Sequence, residues 1–300
     1  MKILCVGHSS YDITIPIDSY PVENTKYRLQ KAAEGGGGPA GNAAYLLGKW
    51  GEEVYYSGVI GNDVFGQRIK KELESVKVDT HLVETTYKND TPISLILVNK
   101  QNGSRTLFNI VDEYTPLTKH DVDFIPDIIL VDGHDYVASK EILDKYSKAI
   151  SVIDAGRITP ELLDLCKRCK YIVCSKGFAE TVTNMKFNYE DKSTLVEIYQ
   201  MLADKYEDKV IVITLEEHGA LYSANGIIKL MPALKVEAKD TTGAGDIFHG
   251  AFVYGLSKGF DIEKIVKYAN IAAGISVTRI GARQSIPSLN EVEAEYLKNN

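Results

Sequence analysis

The segment Asp240-Thr241-Thr242-Gly243-Ala244-Gly245-Asp246, running into the apolar stretch Ile247-Phe248-His249-Gly250-Ala251-Phe252-Val253, has the residue types and spacing for chemistry. A turn of small residues at a helix start leaves backbone N–H groups unpaired, and the helix dipole adds partial positive charge to them. The N–H groups of Gly243, Ala244 and Gly245 are therefore expected to converge into an anion hole whose natural occupant is phosphate. Asp246 sits against that logic, because a carboxylate beside a bound phosphate is repelled. Taken alone it reads as an N-cap worth about 1 kcal/mol. In a turn that also holds phosphate it is better explained as a base facing the hydroxyl that attacks a γ-phosphoryl group, while the backbone donors hold the charge that develops on transfer.

A second segment, Gly35-Gly36-Gly37-Gly38-Pro39-Ala40-Gly41-Asn42-Ala43-Ala44, leads into an amphipathic helix. Glycine permits positive φ and close approach of a ligand to the backbone, and the helix start again offers donors. A ligand-free flexible loop has the same composition. Gly36, Gly38 and Gly41 satisfy G-x-G-x-x-G, but a dinucleotide site needs that fingerprint directly after the first strand. Here the first strand ends at Gly7-His8-Ser9-Ser10, and a charged extended segment intervenes. The chain contains no G-x-x-x-x-G-K-[ST], H-R-D or D-F-G motif, so P-loop and protein-kinase scaffolds are unsupported.

These motifs have to be positioned by an alternating framework. Strand-like runs at Ile3–Val6, Val54–Val59, Ile128–Val131, Ile150–Asp154, Tyr171–Cys174 and Val210–Thr214 alternate with helical patterns at Gly41–Trp50, Gly66–Ser75, Lys140–Tyr146, Ile247–Lys258 and Ile262–Arg279, with another helix ending near Tyr206. Short apolar β runs separated by helices predict a parallel sheet covered on both faces. Two stretches break the pattern. Tyr11–Ala32 and Pro92–Val111 alternate as strands do (Ile13, Ile15, Ile17; Ser94, Ile96, Val98) with no helix between partners, and they are expected to pair into a separate small sheet. Asn102-Gly103 predicts a hairpin joining Pro92–Lys100 to Arg105–Val111, and Asn225-Gly226 marks another turn.

Bulk properties narrow the partners. The 300 residues allow one large α/β domain or two small ones, 44% hydrophobic and 25% charged composition is that of a soluble globular protein, and no apolar run reaches membrane-span length. The start lacks a signal-peptide h-region, so the expected location is cytoplasmic. A net charge of −7 with scattered basic residues argues against nucleic acid. Cys166-x-x-Cys169 has metal or redox spacing, but with only Cys5 and Cys174 besides, it reads as reduced thiols.

With both motifs present, the sequence resembles the ribokinase-like (pfkB) carbohydrate kinase family, marked by G-G-x-x-x-N before one helix and D-T-x-G-A-G-D before another. Gly61-Asn62-Asp63-Val64-Phe65-Gly66 and Val277-Thr278-Arg279-Ile280-Gly281-Ala282 extend the likeness over nearly the whole chain. The resemblance implies a single domain over 1–300. Its core is a three-layer α/β fold with a mainly parallel sheet flanked by helices, and a small β-sheet lid is formed by residues of about 12–32 and 91–112. It implies an ATP-dependent sugar kinase, with Mg2+ bridging the phosphates, and in many members a homodimer through the lid. Carried over by position, the resemblance implies that Asp246 is the catalytic base and Gly243, Ala244 and Gly245 the anion hole. It implies that Asp12, Gly37, Gly38 and Asn42 bind the sugar. Thr214 to Gly219, including Glu216, would form the nucleotide loop together with Ser175, and Asn270 would lie beside adenine. Asp240, Thr242 and Ser285 would form a monovalent-cation (K+) site.

Departures from the ribokinase pattern carry information. Pro39 replaces a lysine, Ser175-Lys176-Gly177-Phe178 replaces an N-x-x-E motif associated with magnesium, and Glu216 replaces a glycine. The last two, with Asn102-Gly103-Ser104-Arg105-Thr106, are similar to the ketohexokinase branch and imply a fructose-type ketose. Arg105 either reaches substrate from the lid or is a solvated strand residue. His134 either lines the sugar pocket or is a turn histidine. Alternatives are a nucleoside or sugar-phosphate acceptor, for which Lys26, Arg28 and Arg105 are available cations, and a catalytically silent sugar or nucleotide sensor.

Overall fold

Alternate residues of the first strand face two different cores: Ile3 and Cys5 pack on one side, Leu4 and Val6 on the other, all fully buried. Ile128 and Leu130 against Ile129 and Val131 repeat the pattern. This two-sided burial is why the strands read as unbroken apolar runs. The computed structural model describes residues 1–29, 32–111 and 113–298; Gln30, Lys31 and Asp112, which fall in the segments assigned above to the small sheet, lie outside the described residues.

In chain order the first half contains β1 (Lys2–Val6), β2 (Ser10–Ile17), β3 (Ala33–Gly37), α1 (Pro39–Lys49), β4 (Glu53–Ser57), β5 (Val59–Gly61), α2 (Val64–Ser75), β6 (Glu84–Thr86), β7 (Ile93–Asn99), β8 (Arg105–Ile110), β9 (Ile128–Val131) and α3 (Tyr136–Lys145). It continues with β10 (Ile150–Ala155), α4 (Pro160–Arg168), β11 (Tyr171–Ser175), α5 (Lys176–Thr183), α6 (Lys192–Lys205), β12 (Val210–Thr214), β13 (Ala220–Ala224), β14 (Ile227–Met231), α7 (Ala244–Ser257), α8 (Ile262–Ser276), α9 (Ala282–Ser285) and α10 (Leu289–Lys298). The large sheet has the order β14-β13-β12-β11-β10-β9-β1-β4, parallel from β12 to β4 and closed at one edge by the antiparallel β13–β14 hairpin. One face carries α1, α2, α7, α8 and α10, and the other carries α3 to α6. The four cysteines are buried and unbridged.

The small sheet has the order β3-β2-β7-β8, with β2 and β7 parallel. Two expectations are corrected here. Tyr11–Ala32 is not one extended strand: β2 ends at Ile17, and the next strand, Ala33–Gly37, takes in three of the four consecutive glycines that had read as a loop. Packing explains this, since a Cβ on Gly36 would stand 2.0 Å from the Arg283 guanidinium and one on Gly37 would stand 2.3 Å from the Asp12 carboxylate. The expected hairpin is present: β7 and β8 pair antiparallel on either side of Asn102-Gly103, with Asn99 O accepting from Gly103 N at 2.8 Å. The two-residue turn with both central residues at positive φ is Asn225 (52°) and Gly226 (77°), between β13 and β14.

Helices α1 and α7 cross closely because neither carries bulk at the contact: a Cβ on Gly250 would lie 3.2 Å from Ala43 Cα and Ala43 O. A valine at 250 overpacks a crossing with no room to relax, at a cost of about 1–3 kcal/mol. Gly250→Val is therefore expected to lower the melting temperature and, because the crossing also sets the site described next, to lower turnover of the protein that stays folded. Unchanged melting and turnover would contradict the packing argument.

Candidate active site

Parallel strands in α/β sheets present their C-terminal ends to ligands. Here β1, β9, β10, β11 and β12 lead into His8, Asp132, Asp154, Ser175 and Thr214, all of which line one cavity of about 520 Å³. The facing wall comes from the small sheet: Asp12 on β2, Ser94 and Ile96 on β7, Arg105 and Leu107 on β8. The floor is the start of α7, with Thr242, Gly243, Gly245, Asp246 and His249.

Asp246 is not the N-cap of α7. The helix begins at Ala244 and its cap is Gly243, in the left-handed region at φ 73°. Asp246 therefore sits in the first turn, and its carboxylate accepts from Asn42 Nδ2 at 2.7 Å, across the α1–α7 crossing. Burial pushes the Asp246 carboxyl well above the usual carboxylate range, and the nearby charges of Asp154 and Asp12 add to the rise, while Asn42 and His249 oppose it. A carboxyl in this state accepts a proton at neutral pH far more readily than an exposed aspartate. His249 is held by three acceptors: Gly245 O at 2.6 Å, Val173 O at 3.0 Å and the Asp154 carboxylate at 3.3 Å. Of the three amides expected to converge, that of Ala244 turns back to Thr241 O at 3.3 Å. Those of Gly243 and Gly245 have no acceptor among the described residues, and a Cβ on Gly245 would meet open space.

The residues expected to bind sugar are assembled as well. Asp12 accepts from Ser10 Oγ at 3.0 Å and stands against Gly37; burial raises its carboxyl, opposed by hydrogen bonds from Ser10 and Ser94 and by the charges of Arg283 and Arg105. Gly38, at φ 86°, caps α1 where a Cβ would lie 2.1 Å from His8 O. Pro39 opens the helix, a position where its missing N–H costs nothing. Behind this loop lies Arg283, 4% exposed, which donates from Nε to Asn42 Oδ1 at 3.2 Å and pairs through NH1 with Glu72 at 3.0 Å.

Arg105 does more than a solvated strand residue: its guanidinium donates to Thr241 O and, at 2.9 Å, to Thr241 Oγ1, tying the small sheet to the start of the Asp246 segment. His134 lines the cavity and stacks on His8 with ring centroids 4.7 Å apart. Beneath them Asp132 receives His8 N at 2.9 Å, His134 N at 3.0 Å and Ala40 N at 3.2 Å. Burial alone works to raise the Asp132 carboxyl, but the His134 charge and these bonds outweigh it and bring it down to about 2. The same pairing overcomes the effect of burial on His134 and raises its imidazole, whereas burial and His134 push His8 down to about 4. Arg157, after β10, faces the same cavity and has no ion-pair partner among the described residues. Lys26 and Arg28 do not line it.

Of the residues expected to hold the nucleotide, Ser175 and Thr214 reach the cavity but Glu216, Gly219 and Asn270 do not. Glu216 adopts φ 55°, in the left-handed region that favours glycine, and pairs with Lys176 at 3.4 Å. Gly219 passes under β14, where a Cβ would lie 2.0 Å from Met231 O, and Asn270 donates to Met231 O at 3.2 Å. Asp240 accepts from Thr242 N at 2.8 Å and Gly281 N at 2.7 Å, and Ser285 Oγ donates to Ala282 O at 2.7 Å. Thr242 Oγ1 is buried without a partner among the described residues. Among those residues no group of three or more His, Cys, Asp or Glu is placed to hold a metal ion.

Sequence reasoning missed Asp132, Asp154, Arg157, His249 and Arg283. Position at a strand's C-terminal end was the available signal for Asp132, Asp154 and Arg157. Nothing local marks Arg283, whose partners lie 211 and 241 residues away.

A deep cleft between a parallel sheet and a small sheet, floored by a helix start with a buried carboxylate, is the architecture of a phosphotransferase of the ribokinase-like fold. The chain matches the pfkB family of carbohydrate kinases over residues 1–289 and belongs to it. It is an ATP-dependent sugar kinase. It is 28% identical to the ribokinase of Bacillus subtilis, covering 98% of this chain and 99% of the relative, and 27% identical to the deoxyribokinase of Salmonella typhi over the whole of both chains. The nucleoside kinase of Methanocaldococcus jannaschii is 23% identical, covering 97% and 95%. In fold it resembles the ribokinase of Cryptococcus neoformans in complex with ADP (TM-score 0.81, 23% identity, covering 98% and 99%) and that of Arabidopsis thaliana complexed with ribose and ATP (TM-score 0.81, 20% identity, covering 98% and 97%). No described helix is long and apolar enough to cross a membrane.

The crowding of Asp246 has a stability consequence with a definite sign. An acid whose folded carboxyl is raised holds its proton to higher pH than the unfolded chain does, so stability falls as pH climbs through the interval between the two values. Asp246→Asn removes that penalty. It is expected to raise the melting temperature by a few degrees at neutral pH, with the gain vanishing below about pH 3, where the carboxyl is protonated in both states. Equal melting at pH 7 would argue that Asp246 is not strained by its neighbours.

Proposed function

We propose that the chain transfers the γ-phosphoryl group of ATP to a primary hydroxyl of a free sugar, with Asp246 as the base. The observation that carries this reading is the raised carboxylate at the mouth of a helix start whose Gly243 and Gly245 amides are open, inside the cavity that also holds Asp12 and Asn42. Asp12 and Asn42 supply acceptors and donors suited to sugar hydroxyls. Asp246 takes the proton of the attacking hydroxyl, and the open amides, with that of Ala244 at the edge of the hole, stabilise charge on the transferring group. Most of the rate enhancement then comes from positioning.

ATP would lie toward Ser175 and Thr214, with Glu216, Gly219 and Asn270 shaping the more distant wall for the base. Mg2+ would accompany the triphosphate, for which one or two carboxylates and the phosphates suffice, and it would supply charge neutralisation. Asp154, beside Asp246, fits that requirement where N-x-x-E is missing. The buried, unpartnered Thr242 hydroxyl beside the Asp240 carboxylate, with Ser285 across the 281–282 turn, fits a K+-type cation. We also propose that the small sheet acts as a lid and pairs two copies: β8 is its outer strand and exposes Leu107, Phe108 and Ile110. Sedimentation as a monomer at micromolar concentration would overturn the pairing.

A fructose-type ketose is the first acceptor to test, with ribose and deoxyribose beside it because relatives bear those names. One observation favours a second reading, an acceptor with an anionic group: Arg157 faces the cavity without an ionic partner among the described residues, next to His134. Turnover compared across free ketoses, pentoses, nucleosides and sugar phosphates separates the two. Asp246→Asn is expected to lower kcat by roughly a thousandfold with ATP binding retained. Near wild-type ADP release from that variant would show that the base is elsewhere, and acceptor binding with no ADP release from the wild type would make the chain a sensor.

A further inference from the structure

A line of side chains runs from the surface to the base: Glu72 on α2, Arg283 on α9, Asn42 on α1 and Asp246 on α7. We propose that Arg283 is a positioning residue for phosphoryl transfer, acting through Asn42 to aim and ionise Asp246. The proposal rests on Asp246 being the base, and it goes beyond that reading by assigning a function to a residue that lies outside the cavity lining.

The argument is one of donor and acceptor bookkeeping. An Asn side chain presents an oxygen that only accepts and an amide nitrogen that only donates, and rotating the group by half a turn exchanges them. Arg283 Nε–H has no accepting capacity, so the atom 3.2 Å from it must be Asn42 Oδ1. The amide nitrogen is then left facing Asp246 Oδ2 at 2.7 Å, where it donates to the ionised carboxylate. Without Arg283, Asn42 is free to flip its oxygen toward Asp246, which turns a stabilising contact into a repulsive one.

Arg283 is itself over-determined. Glu72 pairs with NH1 at 3.0 Å, and the same Glu72 oxygen accepts from Gly36 N at 2.8 Å, which fixes the strand that packs over the guanidinium. Gly36 and Gly41 leave room for it: Cβ atoms there would lie 2.0 Å and 3.0 Å from its nitrogens. The ring of Tyr45 lies 5.5 Å from the guanidinium carbon. Gly36 on β3 and Gly41 in α1 are therefore spent on seating an arginine. The groups that face Asp246 are Asp12 from β2, Asp154 from β10, His249 from its own helix and Asn42 from α1, with Arg283 behind Asn42. Asp12 and Asp154 disfavour the ionised base, which is why a correctly turned Asn42 matters.

Arg283→Lys keeps a positive charge opposite Glu72 but lacks the planar fork that reads Asn42. It is expected to fold, to lower kcat roughly tenfold with KM for ATP unchanged, and to move the acid limb of the kcat–pH profile upward, because losing a donor to the carboxylate raises its proton affinity. In an Asn42→Ala background the same substitution is expected to add nothing, since its effect passes through Asn42. A change in melting temperature alone, or effects on kcat that multiply with those of Asn42→Ala, would overturn the proposal. If Arg283→Lys does not fold, Arg283→Met combined with Glu72→Gln removes both charges together and is read by the same criteria. Asp246→Asn in the same assay separates the two claims. Retained turnover there sinks the base and this proposal together, whereas lost turnover there with an unchanged profile in Arg283→Lys sinks this proposal alone.

Discussion

The close crossing of α1 and α7 is the contact on which the site depends. Because Gly250 meets Ala43 with no side chain between backbones, the two helix starts converge and Asn42 reaches Asp246 at 2.7 Å. One helix follows the glycine strand β3 that packs against Asp12; the other begins with the open amides. Spreading them by the width of a methyl group would part Asn42 from Asp246 before either was itself altered.

The second constraint is electrostatic. Asp12, Asp154 and Asp246 share one cavity and repel one another, so none of the three reads as a stabilising choice. The fold tolerates them because each has dedicated partners: Ser10 for Asp12, His249 for Asp154, and Asn42 for Asp246. Asp132 differs from these, since three backbone N–H groups and His134 satisfy it completely. It joins β1, β9 and the start of α1 and so acts as a structural carboxylate. Strain kept at a site and offset by the surrounding packing is the usual pattern of catalytic clusters.

Much of this was legible in residue order. Apolar runs with both faces buried announced the parallel sheet, and alternation at Ile13, Ile15 and Ile17 announced the small sheet. The turn before α7 announced itself by composition. The glycine run was legible as important but misread in form: loop and strand have the same requirement for a residue without a side chain, and only the neighbours Asp12 and Arg283 distinguish them. Asp246 looked like a cap because a helix start is defined by the chain conformation of Gly243, which composition does not display.

The sequence by itself determined the framework, the two glycine-bearing motifs and the membership in the pfkB family, because periodicity, turn chemistry and motif spacing are local properties of the chain. The tertiary structure alone decided which charges meet. That Asn42 donates to Asp246, that Arg105 grips Thr241, that Arg283 donates to Asn42, and that His249 pairs with Asp154 are contacts between residues 95 to 241 positions apart. Such pairings follow from the register of the sheet and the crossing of helices, and no local signal in a single chain records them.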